Sequence, residues 1–405
     1  PSFFVFLDAF PLTANKKIDV RALPQPEISS HTAGQPYVAP RNGMEVQLTA
    51  LWQQVLGMQE IGIHDNFFDL GGHSLKAAQL FYQLELVFGK QLPLATLFQA
   101  PTIAELASVL TKASWVPPWQ SLVAIQPSGT GVPLFMVPGV GGNVLVFAKL
   151  ARILGTEQPL YGLQARGLDG KETPFTSVPE MASHYVQEVR RMHPDGPYLI
   201  GGVCTGGLIG YEMARQLTAL GCQVTLFMMD TWHPDSYSRY KHRLVAKAFM
   251  SMIVLGKIVG DIRSISRLPM NEWWETLARK AQVVLSLFSQ SITDHIQDRD
   301  FQVQRLTEAT LLAVARYRVQ PTAAQVVNVV ASNRHVDDVI PDTRHRWQEL
   351  GAGSSCTVPI PAEDSGRLFV SPFVEELAGH LHNYLQKSPD RTVGVGIPAR
   401  NNLSA

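Results

Sequence analysis

Two hydrophobic patterns divide the chain. Over residues 41–113, apolar side chains recur at helical spacing: one stretch stops at Gly57, and a second runs over residues 74–88. A third helix is predicted to start after Thr102, whose hydroxyl suits an N-cap, and to run through Leu110. This pattern predicts a small all-α domain. The apolar positions of its first helix are Val46, Leu48, Leu51, Trp52 and Val55.

From residue 122 onward, short apolar runs alternate with helical patterns. The clearest runs are 134–137, 198–200 and 224–229. Such alternation predicts an α/β domain with a largely parallel sheet, which we place at 122–387. The stretch 114–121 contains two consecutive prolines and is predicted to be a linker. Residues 388–405 are predicted to be a disordered tail.

One long segment, 236–312, interrupts the α/β pattern with amphipathic stretches. Because it follows a strand that ends in an aspartate, we interpret it as a helical lid inserted into the α/β domain. A buried pair of helices is the alternative. The apolar residues of this segment include Phe249, Met250, Ile253, Leu255, Ile258, Trp273, Trp274 and Leu285.

Composition narrows the class of protein. A chain of 405 residues suits two or three domains, and its 17% charged and 45% apolar residues predict sizeable cores. The formal net charge of zero favours neither nucleic acid nor a membrane surface as a partner. Cys204, Cys222 and Cys356 are too widely spaced for a disulfide framework or a cysteine-rich metal site, so no metal is expected and a cytoplasmic location is favoured. Because the sequence opens at Pro1 in mid-phrase, we expect a piece of a larger polypeptide.

The first chemical motif is Asp69-Leu70-Gly71-Gly72-His73-Ser74-Leu75. It places a hydroxyl at a helix start, where the helix dipole favours a phosphodiester, and two glycines allow close approach. A simple serine N-cap is the alternative. The motif resembles the attachment signature of peptidyl and acyl carrier domains. That resemblance implies a four-helix bundle with 4'-phosphopantetheine on Ser74, attached by a phosphopantetheinyl transferase.

The second motif is Gly202-Val203-Cys204-Thr205-Gly206, which follows an apolar strand and opens a helical run. This is the nucleophile elbow of α/β-hydrolases in its strand–turn–helix context. The Thr205 N–H would donate to an oxyanion, with a second donor from Gly139 or Val140 in the glycine loop after an earlier strand. A cysteine packed beneath a helix is the alternative. Together with Tyr161-Gly162-Leu163-Gln164, the motif resembles type I thioesterase domains of peptide and polyketide synthetases.

In thioesterases the catalytic acid ends the next strand, and Asp230 matches it. An N-cap for the lid is the alternative role. The family's histidine is missing, because the matching stretch 361–367 carries Asp364 or Ser365 at that position, depending on the register. The other candidates for a base are His233, His335, His345, His380 and His382.

The N-terminal residues 1–40 are too few for a core. Within them, residues 11–19 resemble the last conserved motif of adenylation domains from nonribosomal peptide synthetases, with Lys17 matching the lysine that contacts the adenylate. Lys16 replaces the usual glycine. We interpret this segment as an adenylation-domain remnant, with a polar turn as the alternative. Upstream adenylation and condensation domains are therefore expected partners.

These motifs predict the last unit of a nonribosomal peptide synthetase or a similar enzyme. An acyl thioester on Ser74 would pass to Cys204 and leave by cyclisation, condensation or hydrolysis. A thiol ionises far more readily than a serine hydroxyl, so Cys204 needs a base less. Two alternatives stay open: a non-catalytic dock for the loaded carrier, and an aryl acid synthetase that releases its product by carbon–carbon bond formation. A domain that has lost activity, or an engineered replacement, would also explain why a cysteine stands at the elbow and the family's histidine is missing. The acyl substrate is not identified by the sequence.

Overall fold

The computed structural model describes residues 7, 11, 23, 36–90, 92–111, 121–234, 305–333, 344–347 and 355–387. Spatial contacts divide the chain into two compact units, Pro1–Pro118 and Trp119–Ala405. Most of the predicted N-terminal remnant, of the linker and of the lid lies outside the described residues, as does the whole predicted tail 388–405. Among the described residues, no helix is both long and apolar enough to cross a membrane.

The regular secondary structure of the smaller unit, in its described part, is helical apart from one isolated β-bridge. Its helices are α1 (Gly43–Leu56), α2 (Ser74–Phe88), α3 (Thr96–Gln99) and α4 (Ile103–Thr111). Their apolar faces meet around fully buried side chains, which include Leu48, Trp52, Phe67, Leu80 and Leu106. The prediction of a small all-α domain agrees with these helices, which coincide with the periodic stretches, while the four-helix bundle arrangement stays a prediction.

Local signals set the helix ends of the smaller unit. Gly57 ends α1 in the left-handed conformation, with φ of 75°. The Glu105 N–H donates to the Thr102 hydroxyl at 3.3 Å, and the Thr102 N–H donates to the Glu105 carboxylate at 3.2 Å, which is a capping box. Val46, one of the apolar positions predicted for the first helix, does not join the core, because the residue is 55% exposed.

The larger unit is built on a seven-stranded sheet of order β1-β3-β2-β4-β5-β6-β7. Every described neighbour pair is parallel except β1 with β3, so the prediction of a largely parallel sheet is confirmed. The strands are β1 (Leu122–Gln126), β2 (Leu134–Val137), β3 (Leu160–Leu163), β4 (Tyr198–Val203), β5 (Val224–Met229), β6 (Gln325–Ala331) and β7 (Ser355–Ile360).

Helices flank this sheet. They are α5 (Ala148–Leu154), α6 (Val178–Met192), α7 (Thr205–Ala219), α8 (305–316) and α9 (Phe373–Lys387). Every residue of the central strand β4 is buried, which explains its apolar composition. The predicted end of the lid at residue 312 falls inside α8, where Leu311 and Val314 pack into the core of the sheet domain.

Candidate active site and carrier attachment site

Cys204 lies on a sharp turn between β4 and α7. Its backbone has φ of 53° and ψ of −122°, a conformation that non-glycine residues rarely adopt. The Cys204 N–H donates to the Met229 carbonyl at 2.9 Å, and the Gly207 N–H donates to the Cys204 carbonyl at 3.1 Å. The turn is thus held from both sides, and Cys204 stands at the carboxyl edge of the sheet.

Two glycines permit this turn. A Cβ atom on Gly202 would lie 2.4 Å from the Gly206 carbonyl oxygen. A Cβ atom on Gly206 would lie 2.3 Å from the Pro138 carbonyl oxygen. Both distances are well inside van der Waals contact with backbone atoms, so β4, α7 and the loop after β2 approach one another only because these positions lack side chains.

The loop after β2, which is predicted to supply an oxyanion donor, lies against Cys204. The Cβ position of Gly139 is 3.5 Å from the Cys204 Cβ, and the Gly142 N–H donates to the Gly139 carbonyl at 2.9 Å. Val140, the other candidate donor, is half-buried in the same turn, and Thr205 is the first residue of α7 and is buried. Gly139 and Thr205 therefore lie next to Cys204, and Val140 is the next residue of the same loop.

Asp230 is the neighbour of Cys204 across the sheet. The register pairs Val203 with Met229, and each candidate residue comes next on its strand. Asp230 has φ of 50°, its N–H donates to the Val329 carbonyl at 2.7 Å, and the residue is 1% exposed. Asp230 and Cys204 therefore both have a positive φ directly after a parallel strand.

The Asp230 carboxylate binds an arginine that the sequence does not single out. Arg344 Nη1 lies 2.6 Å from Asp230 Oδ1 and also donates to the Ala331 carbonyl at 2.8 Å. The side chains of the two partners are 5% and 1% exposed. Arg344 is 114 positions from Asp230 along the chain and lies in no recognisable motif, so sequence reasoning carries no signal for it.

The loop matching the family's histidine position forms a turn around an aspartate. Asp364 Oδ1 accepts hydrogen bonds from the N–H groups of Gly366 and Arg367 at 2.8 and 2.9 Å. Ser365 is half-buried beside it. The Asp364 carboxylate therefore stabilises the local turn.

Four of the five histidine candidates lie in described parts of the larger unit. His233 is buried, with its ring 5.2 Å from the ring of Trp347. On α9, His380 is half-buried and His382 is exposed. His345 lies in the 3-10 helix Arg344–Arg346, and His335 falls outside the described residues.

A small cleft opens beside the loop after β2. Its wall is mostly apolar, and it includes Gly139, Phe175, Met181, Tyr185 and Leu306. Among the described residues that line it, Arg166 carries a positive charge: it lies 4.9 Å above the ring of Phe175 and forms an ion pair with Glu172 at 3.1 Å. An apolar wall of this kind suits an acyl or aryl group.

In the smaller unit, Ser74 is the first residue of α2 and is half-buried. His73 is the N-cap, and its side chain makes no capping hydrogen bond. Gly71 has φ of 81°, and a Cβ atom on Gly72 would lie 2.4 Å from the Phe67 carbonyl oxygen. The tight loop presents the serine hydroxyl beside the helix N-terminus, where amide N–H groups and the helix dipole favour a phosphodiester.

Comparisons with known proteins identify a family for each of the two predicted domains. Residues 46–110 match the phosphopantetheine attachment site family, and residues 132–332 match the thioesterase domain family. Indigoidine synthase from Dickeya dadantii (strain 3937) is 41% identical over 221 residues, which are 55% of this chain and 15% of the relative. A dimodular nonribosomal peptide synthase from Bacillus subtilis (strain 168) is 35% identical over 288 residues, 71% of this chain and 12% of the relative.

A solved structure of a nonribosomal peptide synthetase is also similar to this chain. A four-domain nonribosomal peptide synthetase bound to AMP and glycine is 28% identical, with a TM-score of 0.50 over 95% of this chain and 29% of that one. The chain therefore spans less than a third of the length of each of these three proteins. It consists of a phosphopantetheine-carrying domain followed by a thioesterase domain of the nonribosomal peptide synthetase type.

Proposed function

We propose that this chain is the terminal unit of an acyl assembly line, in which Cys204 accepts the acyl group presented by the carrier domain and releases it. The observation that supports this best is the strained elbow at Cys204, with φ of 53°, in a thioesterase domain that directly follows a carrier domain. Strain of this kind is kept where a side chain must be presented for chemistry. Release then occurs by cyclisation, condensation or hydrolysis.

Ser74 is the proposed attachment residue of the carrier. A phosphopantetheine group bound there would supply a thiol that holds the acyl group as a thioester. The start of α2 fits such a group, because Gly71 and Gly72 keep the loop close and the His73 side chain leaves the helix N-terminus uncapped. The chain's own contribution is to hold the serine hydroxyl at that N-terminus.

Cys204 is the proposed nucleophile of the thioesterase domain. Its thiolate would attack the acyl carbonyl, and the negative charge that develops on the oxygen would be met by the N–H groups of Thr205 and of Gly139 or Val140. Collapse of this adduct expels the phosphopantetheine thiolate and leaves the acyl group on the Cys204 sulfur. One thioester replaces another, so the exchange is close to thermoneutral and the acyl group stays activated.

The release step depends on the second nucleophile. Water needs a general base to attack efficiently, and the family's histidine position holds Asp364 or Ser365. An amine or an enolate in the substrate attacks a thioester more readily than water does. This composition favours cyclisation or condensation over hydrolysis.

Intact-protein mass spectrometry of the full chain tests this proposal. The carrier is loaded with an acyl-phosphopantetheine, and peptide mapping then locates the acyl group. We expect the acyl group on Cys204, none there in Cys204→Ala, and no loading at all in Ser74→Ala. Cys204→Ser is the matched control, which we expect to acylate at least about tenfold more slowly because its hydroxyl does not ionise near neutral pH.

The outcome also separates catalysis from docking. If the acyl group stays on Ser74 in the unmodified chain and in Cys204→Ala alike, the thioesterase domain is a dock for the loaded carrier and the proposal is wrong. Acylation of the thioesterase domain at a residue other than Cys204 would refute the assigned nucleophile but keep the release function.

A further inference from the structure

A buried hydroxyl group directly follows Cys204 in the chain. Thr205 is the first residue of α7 and is 1% exposed. Among the described residues, Thr205 Oγ1 has no hydrogen-bond partner. A polar atom that is buried and unpaired is unfavourable, and native structures keep few of them without a functional reason or a bound partner. The Thr205 hydroxyl is therefore a candidate to bind a polar group from outside the chain.

Helical spacing places this hydroxyl on the face of α7 that borders the cleft. Residues four positions apart share one face of a helix, so Thr205 lies one turn from Ile209, which lines the cleft. Helical side chains lean toward the N-terminus of their helix, which is the end of α7 that Cys204 caps. The Cβ position of Gly139, another residue of the cleft wall, is 3.5 Å from the Cys204 Cβ. The hydroxyl thus lies on the side of α7 where the cleft approaches Cys204.

Two other polar side chains of the cleft wall are already engaged. The Tyr185 hydroxyl donates to the Gln164 carbonyl at 3.4 Å, and Arg166 forms its ion pair with Glu172 at 3.1 Å. In a mostly apolar cleft, a few placed polar groups fix the orientation of a ligand. The cleft and the hydroxyl together fit an acyl group that has an apolar or aryl body and a hydrogen-bonding group near its thioester carbonyl.

From this placement we propose that Thr205 is a specificity-determining residue, whose hydroxyl binds an amide on the carbon next to the thioester carbonyl of the acyl group. The inference rests on the proposed function, in which that carbonyl becomes attached to Cys204. An N-acylated aminoacyl or peptidyl thioester carries such an amide, whereas a simple fatty or aryl acyl group does not. A hydroxyl both donates and accepts, so it pairs with either the N–H or the carbonyl of the amide. An acyl group without the amide leaves the buried hydroxyl unpaired and binds more weakly.

Binding of two unreactive analogues to the full chain tests this role. Both are pantetheine compounds in which nitrogen replaces the thioester sulfur. One carries an N-acetylphenylalanyl group, and the other carries a 3-phenylpropanoyl group, which has the same ring but lacks the amide on the neighbouring carbon. Isothermal titration calorimetry of the unmodified chain should show about 3–10-fold tighter binding of the N-acetylphenylalanyl analogue, as expected for one net hydrogen bond.

Two variants of Thr205 separate the hydroxyl from the shape of the side chain. Thr205→Val keeps the shape without the hydroxyl, so the preference between the two analogues should fall below about twofold. Thr205→Ser keeps the hydroxyl and should keep the preference. Thr205→Val should also melt no lower than the unmodified chain, since it removes an unpaired buried hydroxyl.

Thr231→Val is the matched control. Thr231 is fully buried, and within the part of the chain that the structure describes its Oγ1 also has no hydrogen-bond partner. A Cβ atom on Gly207 would overlap this hydroxyl, and positions 205 and 207 are about 200° apart around the helix, so Thr231 faces another side of α7. The preference should persist in Thr231→Val. Its loss there as well would indicate a general loosening of α7 and overturn the inference.

Three results with the Thr205 variants and the unmodified chain would also overturn it. An undiminished preference in Thr205→Val would leave the hydroxyl to an ordered water. Equal weakening of both analogues would assign it to the carbonyl that they share. Absence of binding of either analogue to the unmodified chain would remove the cleft as an acyl site.

Binding requires no acyl transfer, so this test is separate from that of the proposed function. Loss of the preference in Thr205→Val, without acylation of Cys204 from the carrier, would keep the binding role of Thr205 and reject the release function. Acylation of Cys204 with an unchanged preference would do the reverse.

Discussion

Replacing Gly202 by alanine tests whether the elbow needs the close approach of β4 and α7. The added Cβ atom would lie 2.4 Å from the Gly206 carbonyl oxygen and 2.6 Å from the Gly207 Cα atom. These are backbone atoms, so no side chain can rotate away. The strand and the helix must separate by roughly 1 Å, and overpacking of this kind costs about 1–3 kcal/mol.

We expect the upper end of that range, about 3 kcal/mol, because the clash involves the backbone on both sides. In a domain of this size, each 1 kcal/mol corresponds to about 2–4 °C, so the melting temperature of the thioesterase domain should fall by about 6–12 °C. Differential scanning calorimetry of the full chain measures this transition. Acylation of Cys204 should fall with it, since the turn that presents the thiol is displaced.

Gly379→Ala on α9 is the matched control. A Cβ atom there meets nothing within 4 Å, and the residue lies inside a helix, where alanine is favoured by about 0.5–1 kcal/mol. This variant should therefore melt slightly above the unmodified chain. If Gly202→Ala melted within about 1 °C of the unmodified chain, the argument that the elbow depends on a missing side chain would be refuted.

Two further changes test other parts of the fold. Tyr317→Phe removes the hydrogen bond that the Tyr317 hydroxyl donates to Glu212 at 2.7 Å, so calorimetry should show the thioesterase domain losing about 1.5–3 kcal/mol; an unchanged transition would contradict a role for this contact. The hydrogen bond from Arg41 lowers the pKa of Glu45 in the folded carrier domain. The contribution of Glu45 to carrier stability is therefore present above its unfolded-state pKa. It is lost as the pH falls through the lower folded-state pKa. Glu45→Gln should therefore lower the carrier melting temperature more near pH 7 than at about pH 3, and an equal difference at both pH values would speak against the ion pair.

The helices and strands were largely predictable because their signals are local. The helix predicted over residues 74–88 coincides with α2, and the run that begins at Tyr198 coincides with β4. Periodicity does not reveal which neighbours cover a face, and the exposed side chain of Val46 shows that limit. The antiparallel pairing of β1 with β3 is another such feature, since strand direction depends on the whole sheet.

The candidate site was predictable only where chemistry follows a motif. Cys204 and Ser74 lie in short sequence patterns that specify a turn followed by a helix, so their surroundings follow from the glycines beside them. The partner of Asp230 comes from a segment 114 residues later that is brought back by β6, and no local pattern encodes that contact. Buried ion pairs between distant segments are a feature of tertiary structure alone.

The proposed cysteine nucleophile changes what the site has to supply. A serine nucleophile must lose its proton to a neighbouring base, and an acid that orients a histidine serves that need. A thiol has an unperturbed pKa of about 8.5 and is partly ionised near neutral pH, so the proposed nucleophile depends less on a base. Arg344 Nη1 lies 2.6 Å from Asp230 Oδ1, so this oxygen is already engaged in a charged hydrogen bond. Under the proposed function, both features favour release by a nucleophile carried in the substrate over attack by water.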